Sequence, residues 1–227
     1  MQIDERYKNV IGWFSANMPD AQTELHYSNA YELLVAVILS AQCTDKRVNQ
    51  TTPALFAKYP TPQLLAQSSE DEILQLIKSC SFPNSKARHL LGMAQMLTTR
   101  FGGVVPSDIE QLQQMPGVGR KTANVIASVV YNKPAIAVDT HVFRVSARIG
   151  LTRNAKHPID TEKQLTTHIK PELRAIAHHW LILHGRYICT ARNPKCGKCG
   201  IAPFCITFEK NQKKQLNNET DTTPTEH

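Results

Sequence analysis

Two kinds of chemistry are legible in this 227-residue chain. The first is amine chemistry. Lys121 follows Pro116-Gly117-Val118-Gly119-Arg120 and opens an apolar stretch. A lysine in the first turn of an apolar helix meets both desolvation and the positive helix end, and both disfavour its charged form. Neutral amine is what attack on a sugar carbon requires. A solvated lysine resting on phosphate is the plainer account of a lone lysine, and Arg120 fits that account. Asp139 follows Ala135-Ile136-Ala137-Val138 and precedes a helix pattern, which marks an N-cap. In an apolar cleft the same carboxylate would stabilise positive charge growing on a sugar as its base leaves. His141 is a neighbouring candidate, with packing or capping as the simpler explanation.

The second chemistry is metal binding. Cys189, Cys196, Cys199 and Cys205 are separated by six, two and five residues. Four thiols so close, with a Cys-x-x-Cys inside, indicate a metal site. Zinc and an iron–sulfur cluster both take four cysteines, and the spacing matches neither common ferredoxin pattern. The enclosed loop is basic, with Arg192, Lys195 and Lys198, and Arg186 lies just before it. A pinned basic loop is a good phosphate contact; a solvated surface loop is the alternative. Cys43 and Cys80, remote in sequence, read as buried free thiols.

The elements that must position these groups read as helices almost throughout, so the fold class is all-α. Residues 30–42 form an apolar helix. Ser69-x-x-Glu72 is a capping box leading to Ile73, Leu74 and Ile77 on one face. The same pattern at Ser107–Glu110 opens a short helix with Ile109, Leu112 and Met115. Pro116-Gly117-Val118-Gly119 ends it and turns the chain. The next helix runs from about Arg120 to Tyr131 and is apolar nearly all round, hence central. The helix after Asp139 turns Val142, Val145 and Ile149 inward and Arg144 and Arg148 elsewhere. Helix, glycine hairpin and helix together leave amides uncovered at a positive helix end, a device that binds the DNA backbone without reading bases. A simple turn between packed helices would use the same residues. Trp180 and Leu181-Ile182-Leu183 pack the cluster region, and His184 is structural rather than a fifth ligand. After Lys210 the sequence is polar and reads as disordered.

Composition sets the outer limits. Hydrophobic residues make up 41% and charged residues 20%, as in ordinary globular proteins. The formal charge is +7, with a pI near 9.1, which favours a polyanionic partner. The N-terminus lacks the apolar core of a signal peptide. The longest apolar run, Leu33–Leu39, is too short to cross a bilayer. An intracellular, membrane-free protein with reduced cysteines is expected.

Met115-Pro116-Gly117-Val118-Gly119-Arg120-Lys121-Thr122-Ala123-Asn124-Val125 and Ala137-Val138-Asp139-Thr140-His141-Val142-Phe143-Arg144-Val145 resemble endonuclease III, the bifunctional pyrimidine-lesion glycosylases of the helix–hairpin–helix superfamily. The resemblance extends to Leu39-Ser40-Ala41-Gln42-Cys43-Thr44-Asp45, to Asn84-Ser85-Lys86-Ala87 and to the C-terminal cysteines, over roughly residues 1–210. It implies a Schiff-base nucleophile at Lys121, a catalytic carboxylate at Asp139, and a [4Fe–4S] cluster on Cys189, Cys196, Cys199 and Cys205. Gln42 would fill the gap left by an extruded nucleotide. Gly117, Val118, Gly119, Arg120, His141, Arg144, Arg186, Arg192, Lys195 and Lys198 would line the DNA. The family's usual glycine, bulky residue and aromatic are here Ser81-Phe82-Pro83. Phe82 still suits a wedge in the duplex, but Pro83 departs from the pattern.

The implied architecture is two helical domains with a DNA-binding cleft between them. Residues 23–133 form a six-helix barrel carrying the hairpin, residues 1–22 and 134–211 the cluster domain, and 212–227 a disordered tail. The implied activity is removal of oxidised pyrimidines from double-stranded DNA with β-elimination 3′ to the abasic site. A monomer without a nucleotide cofactor, cytoplasmic and associated with the nucleoid, is expected. The mismatch adenine glycosylases of the same superfamily fit less well. They lack the lysine and use a glutamate near the Gln42 helix, whereas no acid lies between Leu33 and Asp45 here. A zinc-held DNA-binding module and a metal-stapled scaffold are the noncatalytic alternatives.

Overall fold

A computed structural model describes residues 1–220. The described residues are helical or irregular, with no strand among them. The chain folds as two compact units, Thr23–Ala135 and Met1–Gln22 with the chain from Ile136 onward. The division lies two residues beyond the expected 133/134 limit. Ala135 N donates to Lys133 O at 2.7 Å and turns the chain back after the helix.

The unit Thr23–Ala135 contains α2 (Ala30–Leu39), α3 (Asp45–Lys58), α4 (Pro62–Ala66), α5 (Glu70–Ile77), α6 (Pro83–Phe101), α7 (Ile109–Gln113) and α8 (Arg120–Tyr131). Helix α2 is apolar on every side, and each residue from Leu33 to Leu39 is buried. Such a helix is stable only at the centre of its unit, and α3, α6 and α8 pack around it. Helix α6 contributes Leu90, Met93 and Leu97, all fully buried. The capping box at Ser69 and Glu72 is formed as read.

Three local features depart from the pattern of the sequence. Helix α2 stops at Leu39, not at residue 42. Carbonyls at and just beyond its end are taken from a distance: the buried Lys86 ammonium donates to Leu39 O at 2.7 Å and Ala41 O at 2.8 Å. Gln42 beyond it adopts φ 51°, a left-handed geometry that cannot continue a helix. Helix α7 is capped by Asp108 rather than Ser107, because Asp108 Oδ1 reaches Gln111 N at 2.9 Å. The polar C-terminal stretch is helical through Thr220, so 212–220 is not a disordered tail. The remaining tail positions, 221–227, lie outside the described residues.

The other unit contains α1 (Ile3–Asn17), α9 (Thr140–Ile149), α10 (Pro158–His168), α11 (Arg174–Tyr187) and α12 (Ile206–Thr220). Helix α1 is bound to chain far away in sequence. Phe14 stacks on Trp180 with centroids 5.8 Å apart, Tyr7 Oη donates to Leu151 O at 2.7 Å, and Trp180 Nε1 donates to Met18 O at 2.7 Å. These residues share a core with Val142, Val145, Ile149, Leu165 and Ile201. Trp180 and Leu181 are buried, as the sequence indicated. Helix α12 is held at its start, where Thr207 Oγ1 donates to Arg148 O at 2.7 Å. Lys213 pairs with Glu209 one turn back at 2.8 Å. Once a first turn is fixed, a polar helix propagates cheaply. No described helix is long and apolar enough to cross a membrane.

Candidate active site and cluster loop

Lys121 is the second residue of α8, half-buried, in the unit Thr23–Ala135. The hairpin before it spans Gln114 to Gly119, with Val118 N donating to Met115 O at 3.1 Å. The two glycines serve different ends. Gly117 has φ 78°, and a Cβ there would lie 2.8 Å from His89 Cβ. Both backbone and packing therefore demand glycine. Gly119, the N-cap, has an ordinary φ of −86°, and a Cβ there would meet nothing within 4 Å. Neither packing nor backbone strain demands that glycine. It keeps the approach open to the first amides of α8, which a helix leaves without intrahelical partners. Val118 is buried, while Gly117, Gly119 and Arg120 are exposed.

Asp139 is half-buried in the other unit and caps α9, with Oδ1 accepting from Val142 N at 2.8 Å. The segment before it is buried from Ala135 to Val138. His178 Nδ1 lies 2.7 Å from Ala137 O and fixes that segment within the core. Asp139 is thus placed by its own cap and by a buried histidine on α11. Sequence reading supplied the cap, but His178 carries no motif that would have exposed its role.

Gln42 and Phe82 are exposed, Phe82 to 63%. Both are left-handed, at φ 51° and 54°, a geometry uncommon for side chains other than Asn or Asp and frequent at functional sites. Pro83 is the first residue of α6, where its ring suits the helix and its missing N–H costs nothing. The Ser81 hydroxyl donates to the Gln42 carbonyl and joins the two turns. Cys80 is buried, but Cys43 is half-exposed, contrary to its expected burial.

The four C-terminal cysteines line one cavity with Ile149, His184, Ile188, Ile201 and Phe208. Among the described residues, no three acidic, histidine or cysteine side chains converge on a single-ion site. Burial pushes the Cys199 thiol up to about 11, and the neighbouring cysteines push it in the same direction. Burial also raises the Cys205 thiol. Four thiolates held here need a compensating positive charge, which an iron–sulfur core supplies. The donor set and its apolar lining fit that group. His184 Nε2 stands 3.6 Å from Cys199 Sγ, suited to a hydrogen bond to sulfur. Burial holds the His184 ring neutral by pushing it down to about 4.

No motif marks Arg148 as a site residue. Its guanidinium donates to Thr190 O and Ala191 O at 2.7 Å and lies 3.6 Å from Cys189 Sγ. Arg144, read as a DNA contact, is engaged inside the protein. It donates to Gly185 O at 2.9 Å and Cys189 O at 3.1 Å, and contacts His141 Nδ1 at 3.3 Å. Its donors support the cluster loop, and His141 is half-buried beside it. The four-residue spacing of the two arginines on α9 was the available signal. Arg192, Lys195 and Lys198 are exposed and Arg186 is half-buried.

A glycine hairpin ahead of a lysine-headed helix, in an all-helical chain with a four-cysteine loop, defines a class of DNA repair protein. Residues 35–171 match the HhH-GPD superfamily base excision DNA repair proteins, and residues 189–205 match the iron–sulfur binding domain of endonuclease III. Endonuclease III of Rickettsia felis is 47% identical over 85% of this chain and 90% of its own length. Endonuclease III of Bacillus subtilis is 44% identical over 87% of this chain and 90% of its own. A trapped endonuclease III–DNA covalent intermediate superposes with a TM-score of 0.88 at 42% identity, covering 93% of this chain and all of that one. The chain belongs to the endonuclease III family. It is a base-excision DNA glycosylase that binds DNA, and its cofactor is a [4Fe–4S] cluster.

Proposed function

We propose that this glycosylase removes oxidised pyrimidines from duplex DNA and then cuts the strand 3′ to the abasic site, with Lys121 as nucleophile. The observation that carries this reading is the half-buried Lys121 at the second position of α8, two residues after a glycine that neither packing nor backbone strain demands. The damaged nucleotide must first leave the stack, because its reacting bond is blocked inside the duplex. The Lys121 amine attacks C1′, and the base leaves with the glycosidic electron pair. Asp139 stabilises the positive charge that develops on the sugar. Loss of the ring C–O bond gives a Schiff base between Nζ and C1′. That imine acidifies the neighbouring C2′ proton, and β-elimination expels the 3′ phosphate. A covalent intermediate of this kind agrees with the trapped complex formed by the related enzyme.

The remaining residues serve binding. The amides of Gly117, Gly119 and Arg120 take phosphate oxygens, and Val118, whose own amide closes the turn on Met115 O, lies between them in the hairpin. Gln42 fills the vacated stack, and Phe82 wedges between bases. Cys189, Cys196, Cys199 and Cys205 hold the cluster. Its role is to order the loop, so that Arg192, Lys195 and Lys198, with Arg186, meet phosphates at a small entropy cost. The enzyme acts as a monomer in the cytoplasm, at the nucleoid.

Borohydride trapping tests the nucleophile. Incubation with DNA carrying an oxidised pyrimidine or an abasic site should give a covalent adduct, and Lys121→Ala should give none. An undiminished adduct with the variant would assign the chemistry to another amine. Asp139→Asn should keep the cap, since Asn also caps, yet lower base release by about 100-fold or more, as loss of one electrostatic stabiliser commonly does.

A further inference from the structure

Cys43 and Cys80 take no part in the chemistry above, yet the fold brings them together. Both are free thiols, and they flank the hydrogen bond from Ser81 to the Gln42 carbonyl: Cys80 directly precedes Ser81 and Cys43 directly follows Gln42, so each sulfur feels the other while the Cys80 thiol donates to Thr51 Oγ1 at 3.8 Å. The Ser81 backbone and side chain lie beside the Cys43 sulfur and favour its charged form. The Lys86 ammonium, itself anchored on Leu39 O and Ala41 O, acts on both sulfurs. Burial pushes the Cys43 thiol up, but Ser81, Lys86 and Cys80 outweigh it and the net shift is downward. Burial dominates at Cys80 and raises it. One sulfur is thus half-exposed and the easier to deprotonate, and its neighbour is buried and the harder to deprotonate. That asymmetry is what an attacking and a resolving cysteine require. Cys43 directly follows Gln42, and Cys80 lies two residues before Phe82, so the pair joins the two left-handed turns.

We propose that Cys43 and Cys80 form a peroxide-reactive dithiol, whose disulfide ties the Gln42 turn to the Phe82 loop and lowers the affinity for DNA. The Cys43 thiolate attacks one oxygen of hydrogen peroxide. The O–O bond breaks, the sulfur becomes a sulfenic acid, and the leaving hydroxide takes a proton to become water. The Cys80 sulfur gives up its proton and attacks the Cys43 sulfur, the S–O bond breaks, and a second water leaves. Two thiols and one peroxide become one disulfide and two waters, and a thiol reductant reverses the change. The covalent bond draws the two turns closer than a hydrogen bond holds them, and their spacing no longer adapts to DNA. The effect on affinity rests on the proposed roles of Gln42 and Phe82; the disulfide itself does not.

The cluster-loaded enzyme is treated with hydrogen peroxide and mapped by mass spectrometry without reduction. A peptide joining Cys43 to Cys80 is expected, lost on adding dithiothreitol and absent in Cys43→Ser. Binding to duplex DNA with a non-reactive abasic analogue should weaken at least about fivefold on oxidation, the lower end of ordinary coupling between sites. Dithiothreitol should restore it, and Cys43→Ser should show no change. Absence of the linked peptide overturns the dithiol. A linked peptide with unchanged affinity, or an equal loss in Cys43→Ser, overturns the control of DNA binding. Reduced enzyme that fails to bind the analogue counts against the proposed DNA contacts, while the mapping still decides the dithiol.

Discussion

In the unit Thr23–Ala135, α2 hides every side chain from Leu33 to Leu39, and α6 adds Leu90, Met93 and Leu97. From Cys189 to Cys205, only Ile201 and Ala202 are buried. Each fully buried leucine contributes roughly 1.5–3 kcal/mol, so apolar burial alone orders the first region. It cannot order the second. There the backbone is held by Arg144 and Arg148 on carbonyls of residues 185–191 and by four cysteines around one cavity. The proposed nucleophile therefore stands on a self-supporting scaffold. The basic loop proposed to hold phosphate depends on a cofactor.

The largest effect follows from removing that cofactor. Cys199→Ser should abolish the brown colour and acid-labile sulfide of the protein. Amide exchange should then accelerate over 189–205 and leave α2 and α6 protected. DNA affinity should fall with it, and its salt dependence should flatten as Arg192, Lys195 and Lys198 lose their phosphates. Equal loss of protection in both regions would show that the helical unit is not self-supporting.

The converse experiment acts on the core. Leu34 is fully buried in α2, and Leu34→Ala should cost about 2–5 kcal/mol through lost burial and a residual cavity. Denaturant unfolding of α2 and α6 should shift by that amount, while iron content per molecule stays constant. Iron loss that tracks this substitution would show that the two regions are coupled and not independently ordered.

The same contrast governs what the sequence could disclose. The starts of α8 and α9 were legible because each begins with a local device, the glycine hairpin and the Asp139 cap. The cysteine spacing pointed to a metal site, although distinguishing iron–sulfur from zinc needed the family. The end of α2 was not legible, because the Lys86 ammonium that takes carbonyls at and just beyond it comes from far along the chain. The internal bonds of Arg144 were not legible for the same reason. Charge pattern shows an arginine leaving the core face, but not that its guanidinium meets backbone carbonyls more than forty residues later. Helix α12 was missed because its composition is that of a tail, whereas its order begins at Thr207 on the Arg148 carbonyl.

A smaller effect is expected from acid, and it should fall on the cluster-bearing unit. Burial, with Arg186 adding repulsion, pushes His179 down to about 4 from an ordinary 6.5. The unfolded chain takes up this proton near pH 6.5 and the folded one only near 4. The contribution is therefore complete above about 6.5 and is lost as pH falls to 4, amounting to about 3 kcal/mol. Unfolding at pH 7 and pH 4.5 should show this loss in the native protein and a smaller one in His179→Gln. An identical pH dependence in the two would place the sensitivity elsewhere.

The smallest change in stability is expected at the hairpin, where stability and binding should separate. Gly119→Ala puts a methyl group into space where no protein atom lies within 4 Å, at an ordinary φ. Glycine is the better N-cap of the two, so unfolding should shift by about 0.5–1 kcal/mol. The same methyl group stands over the amides offered to phosphate, so affinity for abasic-analogue DNA should fall far more than stability does. Gly117→Ala should behave differently. At φ 78° and 2.8 Å from His89 Cβ it strains the fold itself, and stability and binding should fall together. If Gly119→Ala binds DNA normally, the open space at Gly119 is not a phosphate site, and the amides of the hairpin serve only to turn the chain.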